Sequence, residues 1–399
     1  MAPTKPAIAQ SPLQKEGRGD LSRAPGHDAP WNPPQPFLYK GGKMDRRAFL
    51  ATLAALVGAP AWAGLATRSG ERIHLAATWQ AGHGYQLGVL EYAEGLAIRS
   101  ALDIPTRAHG LLREPAGTLL AVARRPGDWL LRWDRAGRAI KWRWIEPRRA
   151  FAGHLLASDD GRALYTSELD LDSGTGLIGV RDASTLEKQD EWPSHGLDPH
   201  MLVRDEQHPG ALMVANGGIP TQPETGRVKR ELHRMDSSLV RLDAATGALL
   251  GQWRLPDPRL SLRHLAWNWL NGKPVLGIAL QAEHDEAPAR TRAPVLALFE
   301  GDSPRTVDAP VSLAGYGGAI APLGEGFAVG CPRGQAVAVF GAEGFRSLIR
   351  LDEACPLATA HDRLYAGGGG RLMAIAADTG PVAGGQVSDI RLDNHWIVI

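Results

Sequence analysis

The sequence predicts an all-β chain folded as one seven-bladed β-propeller of four-stranded blades, with the C-terminal strand pairing into the N-terminal blade. Three observations predict it. Hairpin signals containing Gly or Asp recur seven times along residues 64–399, at a spacing of about 48 residues that suits four-stranded blades. A short apolar strand opened by histidine recurs in the gaps between them. One strand at each end lacks a partner within its own repeat, and a closed ring supplies that partner.

Composition agrees with this reading. The 399 residues include 47 Gly and 29 Pro, in many short apolar runs with almost no 3.6-residue period. Lys and Arg number 44 against 43 Asp and Glu, a formal net charge of +1. No basic excess exists to neutralise phosphates, which argues against nucleic acid and anionic membranes as partners. Cys331 and Cys355 are the two cysteines, too few for a disulfide framework.

Taken in order, residues 1–43 are rich in Pro, Gly, Gln and charge, a composition expected to be disordered. Met44-Asp-Arg-Arg-Ala-Phe-Leu, an apolar run to Pro60 and Ala61-Trp62-Ala63 have the order of a twin-arginine signal peptide, residues 44–63. The apolar run is too short and Ala-rich for a good membrane span. Met44 is then the expected start, with residues 1–43 a mis-called extension. The mature chain is expected in the periplasm, with no integral membrane segment.

The propeller occupies residues 64–399. Its hairpin signals fall at Glu91–Gly95, Trp133–Gly137, Arg181–Thr185, Leu242–Gly247, Phe299–Gly301, Phe340–Gly344 and Ala377–Gly380. Gly and Asp there provide the positive φ or local side-chain bond of a tight turn. Between them come strands opened by His109, His154, His200 and His264, then Tyr316-Gly-Gly and Cys355-Pro-Leu, and finally Asp393-Asn-His395-Trp to the C-terminus. These are the inner strands. Ile73 to Thr78 reads as a second strand with no first strand before it, so the terminal strand completes its blade.

Seven-fold geometry would bring the starts of the inner strands to one channel mouth. Five of the seven starts carry His, among 13 His in the chain. Neutral imidazoles in a wet channel suit Fe, Cu, Zn or Ni. The alternative is that each His bonds the backbone of a neighbouring blade. Loops between second and third strands on the same face place Glu168, Asn216, Gln281, Arg124 and Arg125 beside Tyr316 at the mouth, where the carboxylate and amides would ligate or orient the imidazoles. Cys331 and Cys355 fall on adjacent blades of that face, either as a disulfide or as two soft ligands. Asp170-Leu-Asp172-Ser-Gly174 resembles half of a calcium loop but lacks the rest and a terminal bidentate Glu, and reads as a turn. The charged stretch Ile219–Ser237 would form a lid, and its basic residues would favour an anionic ligand or acidic partner. Signature motifs of acyl hydrolases, zincins, NTPases and c-type haem attachment do not occur.

The runs Gly153-His-Leu-Leu-Ala-Ser-Asp-Asp-Gly-Arg-Ala-Leu-Tyr-Thr-Ser-Glu168, Asp198-Pro-His-Met-Leu, Ala215-Asn-Gly-Gly-Ile, Glu224-Thr-Gly-Arg, Ser261-Leu-Arg-His-Leu-Ala and Asp393-Asn-His-Trp resemble a bacterial family. It comprises twin-arginine-exported propellers classed as domain of unknown function 1513. The resemblance spans roughly residues 70 to 399, and the five histidines fall in its recurring motifs. It implies a periplasmic propeller encoded beside imelysin-like and di-haem proteins, which are its implied partners, and a role in iron or other metal acquisition. A segment usually resembling Thr-Glu-Asn is here Thr166-Ser-Glu168-Leu169, without the Asn, which weakens a ligand role there. The expected function is binding of a transition metal, iron or copper, at the His-lined mouth, in uptake or redox handling. A metal-dependent lactonase or hydrolase, with Glu168 as its base, and a protein-docking scaffold are the alternatives.

Overall fold

Short apolar segments alternate with tight turns along the whole described chain, and each set of four segments hydrogen-bonds into one antiparallel sheet. The structure, a computed structural model, describes residues 72–220, 231–301 and 303–399. The extension 1–43 and the signal peptide 44–63 lie outside the described residues, as do residues 221–230 of the charged stretch. Seven four-stranded sheets form the blades. Their inner strands are Ile390–Val398 in blade 1, Ala108–Arg113 in blade 2, Arg149–Ala157 in blade 3, Pro199–Arg204 in blade 4, Leu260–Leu270 in blade 5, Ala319–Pro322 in blade 6 and Leu357–Ala360 in blade 7. Every hairpin read from the sequence joins the third and fourth strands of a blade. Asp182 and Asp243 show why Asp recurs there. Each carboxylate accepts backbone N–H groups two and three residues on, from Ser184 and Thr185 and from Ala245 and Thr246.

The ring closes as expected. The C-terminal strand pairs antiparallel with Ile73–Ala81, matching Leu75 with Val398 and Ala77 with Trp396. Trp396 is 2% exposed and its indole N–H donates to the Tyr365 carbonyl at 3.2 Å, tying the closing strand to blade 7.

The apolar core is distributed between blades rather than gathered at the centre. Clusters of buried residues fill the seven seams. Trp79, Leu90 and Trp396 of blade 1 pack on Tyr365 and Leu372 of blade 7, while Leu87 and Val89 pack on Trp129 and Trp133 of blade 2. Each such side chain contributes about 1.5–3 kcal/mol on burial. With stability held in the seams, the axis is available for polar side chains. Among the described residues, helix is confined to a turn at Leu232–Arg234 and the short α1 (Ala287–Arg292). No helix among the described residues is long and apolar enough to cross a membrane.

Candidate metal centre

Each inner strand that carries a central histidine breaks register at that histidine. In blade 2 the pairing shifts between Ala108 and Leu111, around His109. In blade 3 it shifts between Phe151 and Leu155, around His154. The same happens between Pro199 and Leu202 at His200, between Leu262 and Leu265 at His264, and opposite Trp396 and Leu392 at His395. A bulge inserts unpaired backbone and re-aims a side chain. Here the five bulges turn five imidazoles inward. The inner strands of blades 6 and 7 pair without a shift and carry no histidine.

The five rings meet as a closed circuit on the axis. Centroids are 4.7 Å apart for His109 and His154, 4.8 Å for His154 and His200, and 4.6 Å for His200 and His264. His395 completes the circuit at 4.6 Å from His264 and 4.5 Å from His109. Close backbone approach makes this circuit feasible. Gly153 has φ +110°, and a Cβ there would lie 2.7 Å from the His109 ring. Gly110 faces it, where a Cβ would lie 2.6 Å from the Gly153 carbonyl.

The ring nitrogens converge. His200 Nε2 lies 3.0 Å from His264 Nε2 and 3.5 Å from His109 Nε2. One ligating nitrogen from each of His109, His154, His200 and His264 falls within 4.8 Å of the others. Nitrogens that share an ion at about 2.0–2.1 Å sit about 2.8–3.4 Å apart on an octahedral or tetrahedral edge. The His200–His264 pair falls in that range and the His200–His109 pair just beyond it, so the four imidazoles could hold a transition metal, which their type suits. The opposing reading, in which each histidine bonds a neighbouring backbone, is not realised at the buried nitrogens. His109 Nδ1, His154 Nε2, His200 Nδ1, His264 Nδ1 and His395 Nε2 have no hydrogen-bond partner. Buried polar atoms are seldom left so; at His109, His200 and His264 the orphan is Nδ1, while Nε2 faces another imidazole.

Burial sets the charge state. It pushes the imidazoles of His109, His154, His200 and His264 well below the usual histidine range, with neighbouring imidazoles and arginines adding to the effect. His395 is pushed down to about 4 by burial, although Asp393 draws it the other way. All five are neutral at pH 7, the form that ligates a metal.

Two ion-pair clamps hold the histidine-bearing strands. Arg107 engages Asp393 and donates to Asn394 Oδ1 at 2.9 Å, linking blades 2 and 1. Arg263 pairs with Asp198 at 2.7 Å, and Arg125 also pairs with Asp198. Asp198 is fully buried, so a bare carboxylate there would be costly without those partners. The sequence reading missed these residues, although a signal existed. Arg107, Asp198 and Asp393 each stand two residues before a histidine of the ring, and Arg263 stands one before.

The expected mouth residues divide into two groups. A cavity of about 340 Å³ is lined by Gln281, Tyr316, Arg124 and Arg125 together with His109, His200 and His264. Arg333 covers the Tyr316 ring with its guanidinium 4.6 Å from the centroid. Glu168 and Asn216 do not line this cavity. Glu168 is fully buried and paired with Arg181 at 2.8 Å and Lys188 at 2.6 Å. Its carboxylate is a structural charge, which removes it as a base for the imidazole centre. Asn216, also fully buried, donates to the Ser194 carbonyl at 2.8 Å. Cys331 and Cys355 are buried free thiols, and burial pushes the Cys331 thiol up to about 12. Asp170 accepts from the Asp172 N–H at 2.8 Å, as a turn residue does.

Residues 102–399 match the family described as "Protein of unknown function (DUF1513)". No curated protein matches the chain. A solved structure of a nidogen/laminin complex is similar with a TM-score of 0.46 at 12% identity, covering 70% of this chain and 94% of that one. A catalytically inactive virginiamycin B lyase from Staphylococcus aureus with quinupristin is similar with a TM-score of 0.50 at 10% identity, covering 71% of this chain and 85% of that one. The chain belongs to the DUF1513 family, since that match takes in most of its length.

Proposed function

We propose that this member of the DUF1513 family holds one transition-metal ion, iron or copper, on the imidazoles of His109, His154, His200 and His264, with His395 closing the ring. The observation that carries the reading is the convergence of buried Nε2 atoms at 3.0 and 3.5 Å beside ring nitrogens that lack any partner. When bound, the ion supplies Lewis acidity or one-electron chemistry. The protein holds the imidazoles neutral, fixes their directions through the bulges and encloses them between blades. Metal uptake or redox handling in the periplasm, after twin-arginine export and beside imelysin-like or di-haem partners, is the setting we propose. That setting rests on the sequence of residues 44–63 and on the family resemblance.

The hydrolase alternative loses support, because its named base Glu168 is held by Arg181 and Lys188. The docking-lid alternative rests on a stretch whose residues 221–230 lie outside the described residues. Elemental analysis of untagged protein purified from the cell envelope tests the metal reading. About one iron or copper per chain is expected, and loss of that metal in a His200→Ala/His264→Ala variant that still folds. Metal-free protein that also refuses both ions on reconstitution would sink it.

A further inference from the structure

The chamber over the imidazoles carries a charge that the metal reading leaves unbalanced. Arg124, Arg125, Arg263 and Arg333 line it, and no carboxylate does. Asp198 lies behind the wall, a single carboxylate between the two guanidiniums of Arg125 and Arg263. The imidazoles are neutral donors, so they cancel none of a bound cation's charge. A divalent ion placed on them would face guanidiniums across a partly desolvated space, where like charges repel far more strongly than in water. Behind the wall Glu283 joins Asp198, accepting from Gln281 and acting on Arg263, and these two carboxylates are fewer than the guanidiniums and the ion together, so an anion from outside would add to the balance.

A second space of about 460 Å³ shares Arg124, Tyr316, Arg333 and Asn394 with the chamber as lining. Arg107 and Arg391 line that outer space, and its carboxylates Asp393 and Glu353 are paired with those two arginines. The chamber wall is therefore the basic surface, with four guanidiniums and no lining carboxylate. Its guanidiniums are spread over the wall, from blade 2 at Arg124, blade 5 at Arg263 and blade 6 at Arg333. Dispersed guanidiniums match charges carried on separate groups of one molecule, with Arg263, held by Asp198, adding charge behind the more exposed Arg333. The amides of Gln281 and Asn394 add neutral polar contacts on the same wall.

We propose that this chamber binds a small polycarboxylate, an acid with two or three carboxylates, as the anionic companion of the ion on the histidine ring. The proposal deepens the metal reading but stands on the charge and shape of the chamber, which exist without the ion. A polycarboxylate is itself a metal-chelating anion, so the same molecule would neutralise the site and accompany the ion into it.

Isothermal titration of the full chain with citrate tests it, with inorganic phosphate and citrate triethyl ester as comparison probes. Citrate is expected to bind with an affinity that falls as salt rises, and the neutral ester is expected not to bind. Arg124→Gln and Arg333→Gln, at positions that are partly or fully exposed, should each weaken citrate about tenfold or more. A His200→Ala/His264→Ala variant that has lost its metal should still bind citrate, more weakly than the loaded protein. That arm separates failure of the metal reading from failure of this one. Absence of citrate binding to either protein, equal binding of the ester, tighter binding of phosphate than of citrate, or unchanged affinity in both arginine variants would overturn the polycarboxylate proposal.

Discussion

Blades 1 to 5 and blades 6 and 7 share one architecture and differ at the axis. In the first five, the inner strand shifts register where its histidine stands. In the last two, the inner strand pairs regularly and offers Tyr316 or Cys355 just before it instead. The difference separates two requirements that a propeller meets in different places. Packing is satisfied in the seams, where all seven blades are alike. Chemistry is placed at the axis, where an irregularity of the ladder costs little core and re-aims a side chain. The outer space spans both arcs, lined by Arg107, Arg124 and Asp393 of blades 2 and 1 and by Arg333, Glu353 and Cys355 of the histidine-free sector. One arc of the ring would hold an ion while the other leaves its share of the axis to different side chains.

The largest expected effect divides the two arcs. A His200→Ala/His264→Ala substitution should weaken iron or copper by more than about 100-fold, beyond the range of about 10–100-fold for losing an outer partner of a ligand. Cys355→Ala, in the other arc, should leave the affinity unchanged. A competition titration with a chromophoric chelator reads both, and equal losses would break the comparison.

Glu168→Ala separates stability from chemistry inside the histidine arc. It removes one of two carboxylates from the fully buried Arg181, Glu146 still holding the guanidinium at 2.7 Å, and should cost about 1–3 kcal/mol in urea unfolding. Metal content of the folded fraction should not change. Loss of metal together with stability would return Glu168 to the site.

A pair of glycines sharpens the role of the bulges. Gly153 and Gly344 have φ of +110° and +117°, so alanine strains either by about 1–3 kcal/mol. At Gly344 nothing lies within 4 Å of the added Cβ, whereas at Gly153 the His109 ring is 2.7 Å away. Gly153→Ala should therefore lower the melting temperature further and weaken metal, while Gly344→Ala lowers it alone. Metal titrations on both variants check this.

Acid should reveal the same asymmetry more gently. The five imidazoles are held neutral, with folded values below the unfolded histidine value of about 6.5. The unfolded chain then binds more protons between those values, so stability is fully present above about pH 6.5 and is lost as pH falls through the folded values. For His395 that folded value is about 4. Metal-free protein should show a falling melting temperature from pH 7 to pH 4, and the histidine double variant a shallower fall. Parallel curves for the two proteins would contradict buried neutral rings.

Much of this was legible in the residues. Turn chemistry marked all seven hairpins, and the unmatched strand at Ile73 implied closure by the strand ending at Ile399. The repeat placed five histidines at equivalent positions, which proved to be the axis. The side-chain facing of Glu168 and Asn216 was not legible, for a reason specific to strands. One residue of slip turns every later side chain to the opposite face, and Glu168 pairs with Phe151 on the far side of the blade 3 bulge from Leu155. Nothing in the local composition announces that bulge. The spacing before each histidine marked Asp198 and Asp393, but not their pairing, because their arginine partners stand in other blades and only the closed ring brings them together.

X-ray absorption at the metal edge, on protein loaded with one equivalent of iron or copper, tests the central claim most directly. The histidine ring predicts a nearest shell of nitrogen or oxygen at about 2.0–2.1 Å with the outer scattering of several imidazoles, lost in the His200→Ala/His264→Ala variant. A sulfur shell at about 2.3 Å, which would put the ion at Cys331 and Cys355, or a spectrum without imidazole scattering, would contradict it.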